Sequence, residues 1–307
     1  SGAPTVVPLS TDTSTTTYSP SLTAVTGRIL FTIEERGKPT QLAFIDAVGF
    51  HVIHSALGDA IGGAVWDGPN DIVLDSEQSG LRHIVRINAD GTGVTQLTSG
   101  ADSQDLPAIS ADRALIVYGD STGERDLGIH EANADGSNVH VLTAASPVGS
   151  KSGDDDPEFS PDGTLIAYNH IVDGDKGLSE LWVMRADGTQ PRRLTDSSTG
   201  ASHPHWSPDG TRILFTQHDD GPGQSLREPL WIIDLAGGSP RPLTDPKDPG
   251  ESWEGKWSPD GTQIVFKYHV SGWDHNELRL VNADGTDTRT LWVSPALGSA
   301  ESPDWSV

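Results

Sequence analysis

Apolar residues recur along this chain in short runs, and the same polar turn introduces several of them. Phe159 to Thr164 (FSPDGT), Trp206 to Thr211 (WSPDGT) and Trp257 to Thr262 (WSPDGT) lead directly into LIAY, RILF and QIVF. Short runs of β-branched and aromatic residues bounded by Pro, Asp and Gly read as strands joined by hairpins. In SPDG the proline presets φ at the second turn position and the aspartate bonds its own backbone. The glycine accepts the left-handed conformation that closes a three-residue hairpin. A second marker, Asp-Gly followed by Thr or Ser, stands at Asp90-Gly91, Asp135-Gly136, Asp187-Gly188 and Asp284-Gly285, with Gly237-Gly238 in the equivalent place.

The first marker's glycines, at 163, 210 and 261, lie 47 and 51 residues apart, and those of the second repeat every 45 to 52 residues. That period suits one four-stranded blade per repeat. SPDG then joins the first and second strands of a blade, and NADG the third and fourth. Weaker copies are Ile109 to Tyr118 (ISADRALIVY, with proline and glycine lost), Val65 to Leu74 (VWDGPNDIVL) and Leu22 to Phe31 (LTAVTGRILF). Six repeats therefore begin near Ser19, Ile61, Asp105, Asp155, Ser202 and Trp253. The class is all-β and the architecture a β-propeller of six four-stranded blades. Seven blades are less favoured, because the middle strands of a seventh are absent.

The whole chain, 1–307, is expected to be one propeller domain, with residues 1–17 as a lead. Within that lead Pro4 to Thr11 resembles an outer strand such as Pro240 to Asp245. The tail Ala300 to Val307 (AESPDWSV) reads as one more inner strand, and Ser302 to Val307 could pair with Arg28 to Thr32 to close the ring and remove two sheet edges. Sequence alone leaves open which terminus does so. Gly210, and not Gly200, is expected in a left-handed turn, so a valine at 210 is expected to do the greater damage.

Composition removes several function classes. With 20 Lys and Arg against 44 Asp and Glu, the formal charge of −24 disfavours nucleic acid and anionic membrane surfaces. No apolar run is long enough for a membrane helix. There are no cysteines, so neither disulfides nor thiolate chemistry enters. The start, SGAPTVVPLSTDTSTTT, lacks a charged, then apolar, leader and reads as a mature or tag-derived N-terminus. GxSxG, P-loop and CxxC motifs are absent.

WSPDGTRILF with LWIIDLAGGSPRPLT, and FSPDGTLIAY with LWVMRADGTQPRRLT, resemble the TolB-type propeller repeat. The match is specific in repeats four to six and weaker before them. The resemblance implies an exported, periplasmic or extracellular propeller acting as a binding platform. The segment HPHWSPDG is also similar to the inner-strand metal motif of the oligogalacturonate lyase family, although the chain reads STGAS, with no glutamine, before His203.

Candidate functional residues gather on the face of the longer loops, since loops on a rigid scaffold carry binding groups. His203 and His205 form an HxH pair that a two-residue strand period places on one side, suited to a shared metal. His170, His218 and His269 close the second strands of three blades and are the candidates for a catalytic base. Trp253, Trp273 and His275 are assigned to loops as ligand contacts. Asp105, Asp155, Glu254 and Glu301 sit at or beside the starts of inner strands, where an oxygen-rich rim suits Ca2+ in the central channel. Asp154-Asp155-Asp156 reads as a solvated charge run. The leading expectation is a monomeric, noncatalytic propeller whose acidic face holds a protein, glycan or metal. The alternative is a metal-dependent uronate lyase with His203 and His205 as ligands.

Overall fold

A computed structural model of the chain describes residues 25–53, 57, 61–78, 80–121, 127–146, 152–197, 200–218, 228–270 and 275–306. The expected starts of the first repeat near Ser19 and of the outer strand at Pro4 to Thr11 lie outside the described residues, as does Trp273. Six four-stranded blades follow one another around an axis. The first holds β1 (Arg28–Glu35), β2 (Gln41–Ile45) and β3 (Phe50–Ile53), and the second β4 (Ile61–Asp67), β5 (Asp71–Gln78), β6 (Leu81–Asn88) and β7 (Thr95–Gln96). The third holds β8 (Ser103–Ile109), β9 (Leu115–Ser121), β10 (Leu127–Asn133) and β11 (His140–Val141), and the fourth β12 (Gly153–Phe159), β13 (Leu165–Asp173), β14 (Leu178–Arg185) and β15 (Arg192–Arg193). The fifth holds β16 (Ala201–Trp206), β17 (Arg212–Gln217), β18 (Leu230–Asp234) and β19 (Arg241–Pro242). The sixth holds β20 (Glu251–Trp257), β21 (Gln263–His269), β22 (Glu277–Asn282) and β23 (Arg289–Val293). A single parallel pairing, Leu127 with Gly153, ties the third blade to the fourth.

The C-terminus closes the ring. The last strand, β24 (Gly298–Ser306), is the inner strand of the first blade, with Trp305 opposite Ile29 and Asp304 opposite Leu30. The Trp305 indole donates to the Thr26 carbonyl at 2.7 Å. Joining the last segment to the first blade pairs the inner edge of β1.

The turn chemistry repeats as its residues demand. In the SPDG turns Gly163, Gly210 and Gly261 have φ near +70°, and their N–H groups donate to Ser160, Ser207 and Ser258. In the third blade Arg113 occupies the glycine position at φ +60°. Its guanidinium reaches across to Asp67 in the second blade at 2.6 Å, offsetting the cost of a left-handed side chain. The two kinds of turn lie side by side, since Ala186 donates to the Thr164 carbonyl and Ala283 to that of Thr262. The threonine of each LT pair accepts from the third strand, as in Thr195 Oγ1 from Leu181 N at 2.9 Å and Thr244 Oγ1 from Leu230 N at 3.0 Å.

Every inner strand carries a bulge at the same place. Residues 63–64, 106–107, 156–157, 203–204, 254–255 and 302–303 are each two residues facing one on the neighbouring strand. The first of each pair is left-handed: Gly63, Leu106, Asp156, His203, Glu254 and Ser302 have φ between +35° and +55°. The single residue opposite is large and buried: Leu74, Tyr118, Tyr168, Phe215, Phe266 or Phe31. In four of the six bulges the second residue is proline, whose missing N–H costs nothing where the ladder is already broken.

The expectation about Gly200 does not hold. Gly200 is itself left-handed, at φ +56°, and a Cβ there would lie 2.3 Å from the His218 carbonyl oxygen. At Gly210 the nearest atom to such a Cβ is Pro161 Cδ at 3.9 Å. Gly200→Ala is therefore expected to cost more than Gly210→Ala, by roughly 2 kcal/mol beyond the roughly 1 kcal/mol backbone cost that both share. Melting temperatures of the two variants check this, and the reverse order would contradict it.

Candidate functional site

The six inner strands surround a cavity of about 190 Å³ on the propeller axis, lined by the bulges, the residue after each and, in the second to fourth blades, the next residue as well. Its walls differ. The residue after each bulge is Val65 or Ala108 in the second and third blades, but Glu158, His205, Lys256 or Asp304 in the others. Lys256 Nζ lies 3.0 Å from Glu158 Oε2, and His205 Nε2 lies 3.4 Å from Glu158 Oε1.

These side chains also latch successive blades. Asp304 accepts from Trp66 N at 2.8 Å, Glu158 from Trp206 N at 3.4 Å, and His205 Nδ1 from Trp257 N at 3.3 Å. Burial, with Lys256 beside it, holds His205 well below the ordinary imidazole range, so it is a neutral acceptor. Burial likewise pushes the Asp304 carboxyl up.

Nearer the longer loops stands a second tier, the residues just before each bulge. Asp105 and Asp155 meet against Gly119, where a Cβ would lie 2.6 Å from Asp155 Oδ1 and 3.0 Å from Asp105 Oδ1. Desolvation and the neighbouring Asp75 raise Asp105 to about 7. Desolvation and Asp105 raise Asp155 well above the usual carboxylate range. Asp105 Oδ1 is buried with no hydrogen-bond partner. Asp154, Asp155 and Asp156 thus lie in strand β12, not in a solvated loop run. In the same tier Glu301 pairs with Lys267, whose ammonium also lies 4.7 Å over the Trp253 ring. Trp253 is therefore an inner-strand residue of β20 and not a loop residue. Glu254 sits at the β20 bulge and accepts from Ser302 N at 2.6 Å.

The bulge changes the HxH pair. With His203 at φ +50°, the two-residue period fails between Ser202 and His205. His203 Nδ1 lies 2.9 Å from Ser202 Oγ, while His205 is held by Glu158 and Trp257, so the two imidazoles serve different partners. Each of the three candidate bases has a carboxylate. His170 bonds Asp154 at 2.6 Å, which raises its pKa, and His218 bonds Glu228 at 2.9 Å. His269 lies 3.7 Å from Glu251. His275 forms an isolated bridge with Gly298. Among the described residues no three His, Asp or Glu side chains are grouped so as to hold a metal ion.

Glu158, Lys256, Asp304, Ser202 and Glu228 were not singled out by sequence. The bulge prolines, Pro157 and Pro303, each immediately before the residue concerned, were the available signal for Glu158 and Asp304; Lys256 follows Gly255 and had none.

Residues 148–306 match the family model of the TolB beta propeller domain. A TolB homolog of Chlorobium chlorochromatii is 28% identical over 174 residues, 56% of this chain. An uncharacterized protein of Agrobacterium fabrum is 33% identical over 117 residues, 36% of this chain. These matches span 36% and 39% of the relatives' own lengths, respectively. Among solved structures, TolB from Acinetobacter baumannii superposes with a TM-score of 0.72 at 17% identity, over 91% of this chain and 66% of that one. An oligogalacturonate lyase in complex with manganese superposes with a TM-score of 0.60 at 15% identity, over 86% of this chain and 73% of that one. At these identities the likeness is one of fold.

Asp105 keeps its proton in the fold up to about pH 7, whereas an unfolded aspartate, with its ordinary value of 3.8, releases it near 4. Folding takes up a proton between those values, so stability declines as pH rises through that window. Urea unfolding is expected to give a stability lower at about pH 7.5 than at about pH 5 by on the order of 2 kcal/mol. Asp105→Asn is expected to reduce that difference, the remainder coming from Asp155 and Glu158, whose carboxyls burial also raises, and an unchanged difference would contradict the assignment.

Proposed function

The chain belongs to the TolB beta propeller domain family, and from that premise we propose that it is an exported, periplasmic binding propeller whose channel holds a cationic segment of a partner protein. The observation that carries this reading is the imbalance of charge around the cavity. Asp156, Glu158, Glu254 and Asp304 line it, with Glu301 in the tier before the bulges, against Lys256, paired with Glu158, and Lys267, paired with Glu301. Low-dielectric walls of one sign focus the field in a cleft and raise the local concentration of the opposite charge. The apolar wall of Val65, Leu106, Pro107 and Ala108 accommodates the aliphatic stem of a lysine or arginine while the charged wall meets its head. A Ca2+ ion competes for the same carboxylates in this reading.

A short basic peptide is expected to bind, and an acidic peptide of equal length not to bind, when titrated calorimetrically. Doubling the salt from about 0.1 M is expected to weaken the complex through screening. Asp156→Asn combined with Glu254→Gln is expected to weaken it by about tenfold, or about 1.4 kcal/mol. Equal affinity for both peptides would refute the reading.

A further inference from the structure

We propose that Ser202, His218 and Glu228 form a hydrolytic site for small neutral esters at the longer-loop side of the fifth blade, an activity beyond the binding reading. Ser202 Oγ contacts His218 Nε2, and His218 Nδ1 lies 2.9 Å from Glu228 Oε1. The same Ser202 Oγ lies 2.9 Å from His203 Nδ1. Nucleophile, base and orienting carboxylate in hydrogen-bond sequence are the arrangement that activates a serine.

Proton counting leaves one wiring for neutral imidazoles. The Glu228 carboxylate only accepts, so His218 Nδ1 carries the hydrogen and donates to it. Nε2 of His218 is then an acceptor, and the Ser202 hydroxyl donates to it. His203 Nδ1 in turn donates to Ser202 Oγ. This is the wiring in which the serine loses its proton directly to a base. It also places the His203 N–H on Ser202 Oγ, which steadies that oxygen as its proton leaves.

Comparison of the blades isolates the site. The position of Ser202 is filled by Gly62, Asp105, Asp155, Trp253 and Glu301 in the other inner strands, none of which carries a hydroxyl. His170 and His269 have carboxylate partners too, but these come from their own inner strands, through Asp154 and Glu251. Only in the fifth blade, among the described residues, does the carboxylate come from the third-strand side, through Glu228. There the histidine's other nitrogen is left to a serine. Ser202 is 8% exposed and the His218 ring 24% exposed, with His203 on the wall of the axial cavity, which sets the direction from which a small acyl group would approach. The surrounding carboxylates disfavour anionic substrates.

In the reaction Ser202 Oγ bonds to the ester carbonyl carbon as its proton passes to His218 Nε2. The carbonyl π pair moves onto the carbonyl oxygen, giving a tetrahedral oxyanion. Collapse breaks the carbon–alkoxide bond, and the departing alcohol takes the proton from His218. Water, deprotonated by the same imidazole, then releases the acid and restores Ser202. No reactant beyond ester and water is required.

The test is labelling of the intact protein with a fluorophosphonate probe, adduct mapping by peptide mass spectrometry, and hydrolysis of p-nitrophenyl acetate. A single adduct on Ser202 of the wild type is expected. His218→Ala is expected to slow both labelling and hydrolysis by at least about 100-fold, the lower end for a lost general base. His140→Ala, in the outer strand β11, should leave both unchanged. For the positioning residue, Glu228→Gln should slow labelling and Glu228→Asp should recover part of the rate, a rescue that a merely packed carboxylate would not show. No adduct on wild-type Ser202, or equal labelling after His218→Ala with the fold intact by circular dichroism, overturns the proposal. Neither result bears on basic-peptide binding, which does not use Ser202.

Discussion

Each inner strand bulges once, with a left-handed residue at the bulge, and this shared distortion governs both the closure of the propeller and the character of its channel. A bulge adds a residue to one side of an antiparallel ladder, increases the local twist and re-aims the side chains beyond it. The distortion costs about 1–2 kcal/mol for each non-glycine residue held at positive φ. It is imposed by the buried ring or leucine opposite, which occupies the space of the two residues that face it: Phe31, Leu74, Tyr118, Tyr168, Phe215 or Phe266. Flanking ladder pairs such as Trp206 with Ile213 and Trp257 with Ile264 hold each bulge from the turn side.

The same distortion decides what lines the axis. Residues after the bulge meet the next blade, so a carboxylate or neutral imidazole there accepts from the neighbouring strand, as Glu158, His205 and Asp304 do. Lys256 breaks the series because it cannot accept, and it turns instead to Glu158. Buried charge is tolerated when paired and hydrogen-bonded. Asp105, before a bulge, has a buried oxygen without that compensation and stays protonated further up the pH scale.

Repetition supplies a scaffold, and function enters where a blade departs from the repeat. Equivalent positions carry Asp105, Asp155, Ser202, Trp253 and Glu301, so one backbone presents acid, hydroxyl and indole at one height around the ring. The fifth blade combines a hydroxyl, a histidine and a carboxylate from just before its third strand. A fold shared with TolB and with a lyase therefore says little about chemistry, which depends on single substitutions at repeated places.

The sequence by itself determined the blade count, the strand order within a blade and the two turn types. These depend on local rules: glycine's access to positive φ, proline's fixed φ and the period-two alternation of strands. The tail's role as an inner strand was legible for the same reason, because AESPDWSV carries the apolar and turn residues of the other inner strands. Only the tertiary structure decided that this tail, Gly298–Ser306, closes the ring, since both termini offered strand-like residues. Arg113 in a glycine's place and the crowding at Gly200 were also decided there, the first by Asp67 in another blade and the second by the His218 carbonyl. The candidate site was legible as a list of histidines and carboxylates but not as an arrangement. His203 and His205 were read through a two-residue period that the bulge interrupts, and Ser202 and Glu228 gain meaning only through His218, 16 and 10 residues away along the chain. Local propensity fixes turns and strands, whereas side chains distant in sequence meet only after the blades have packed.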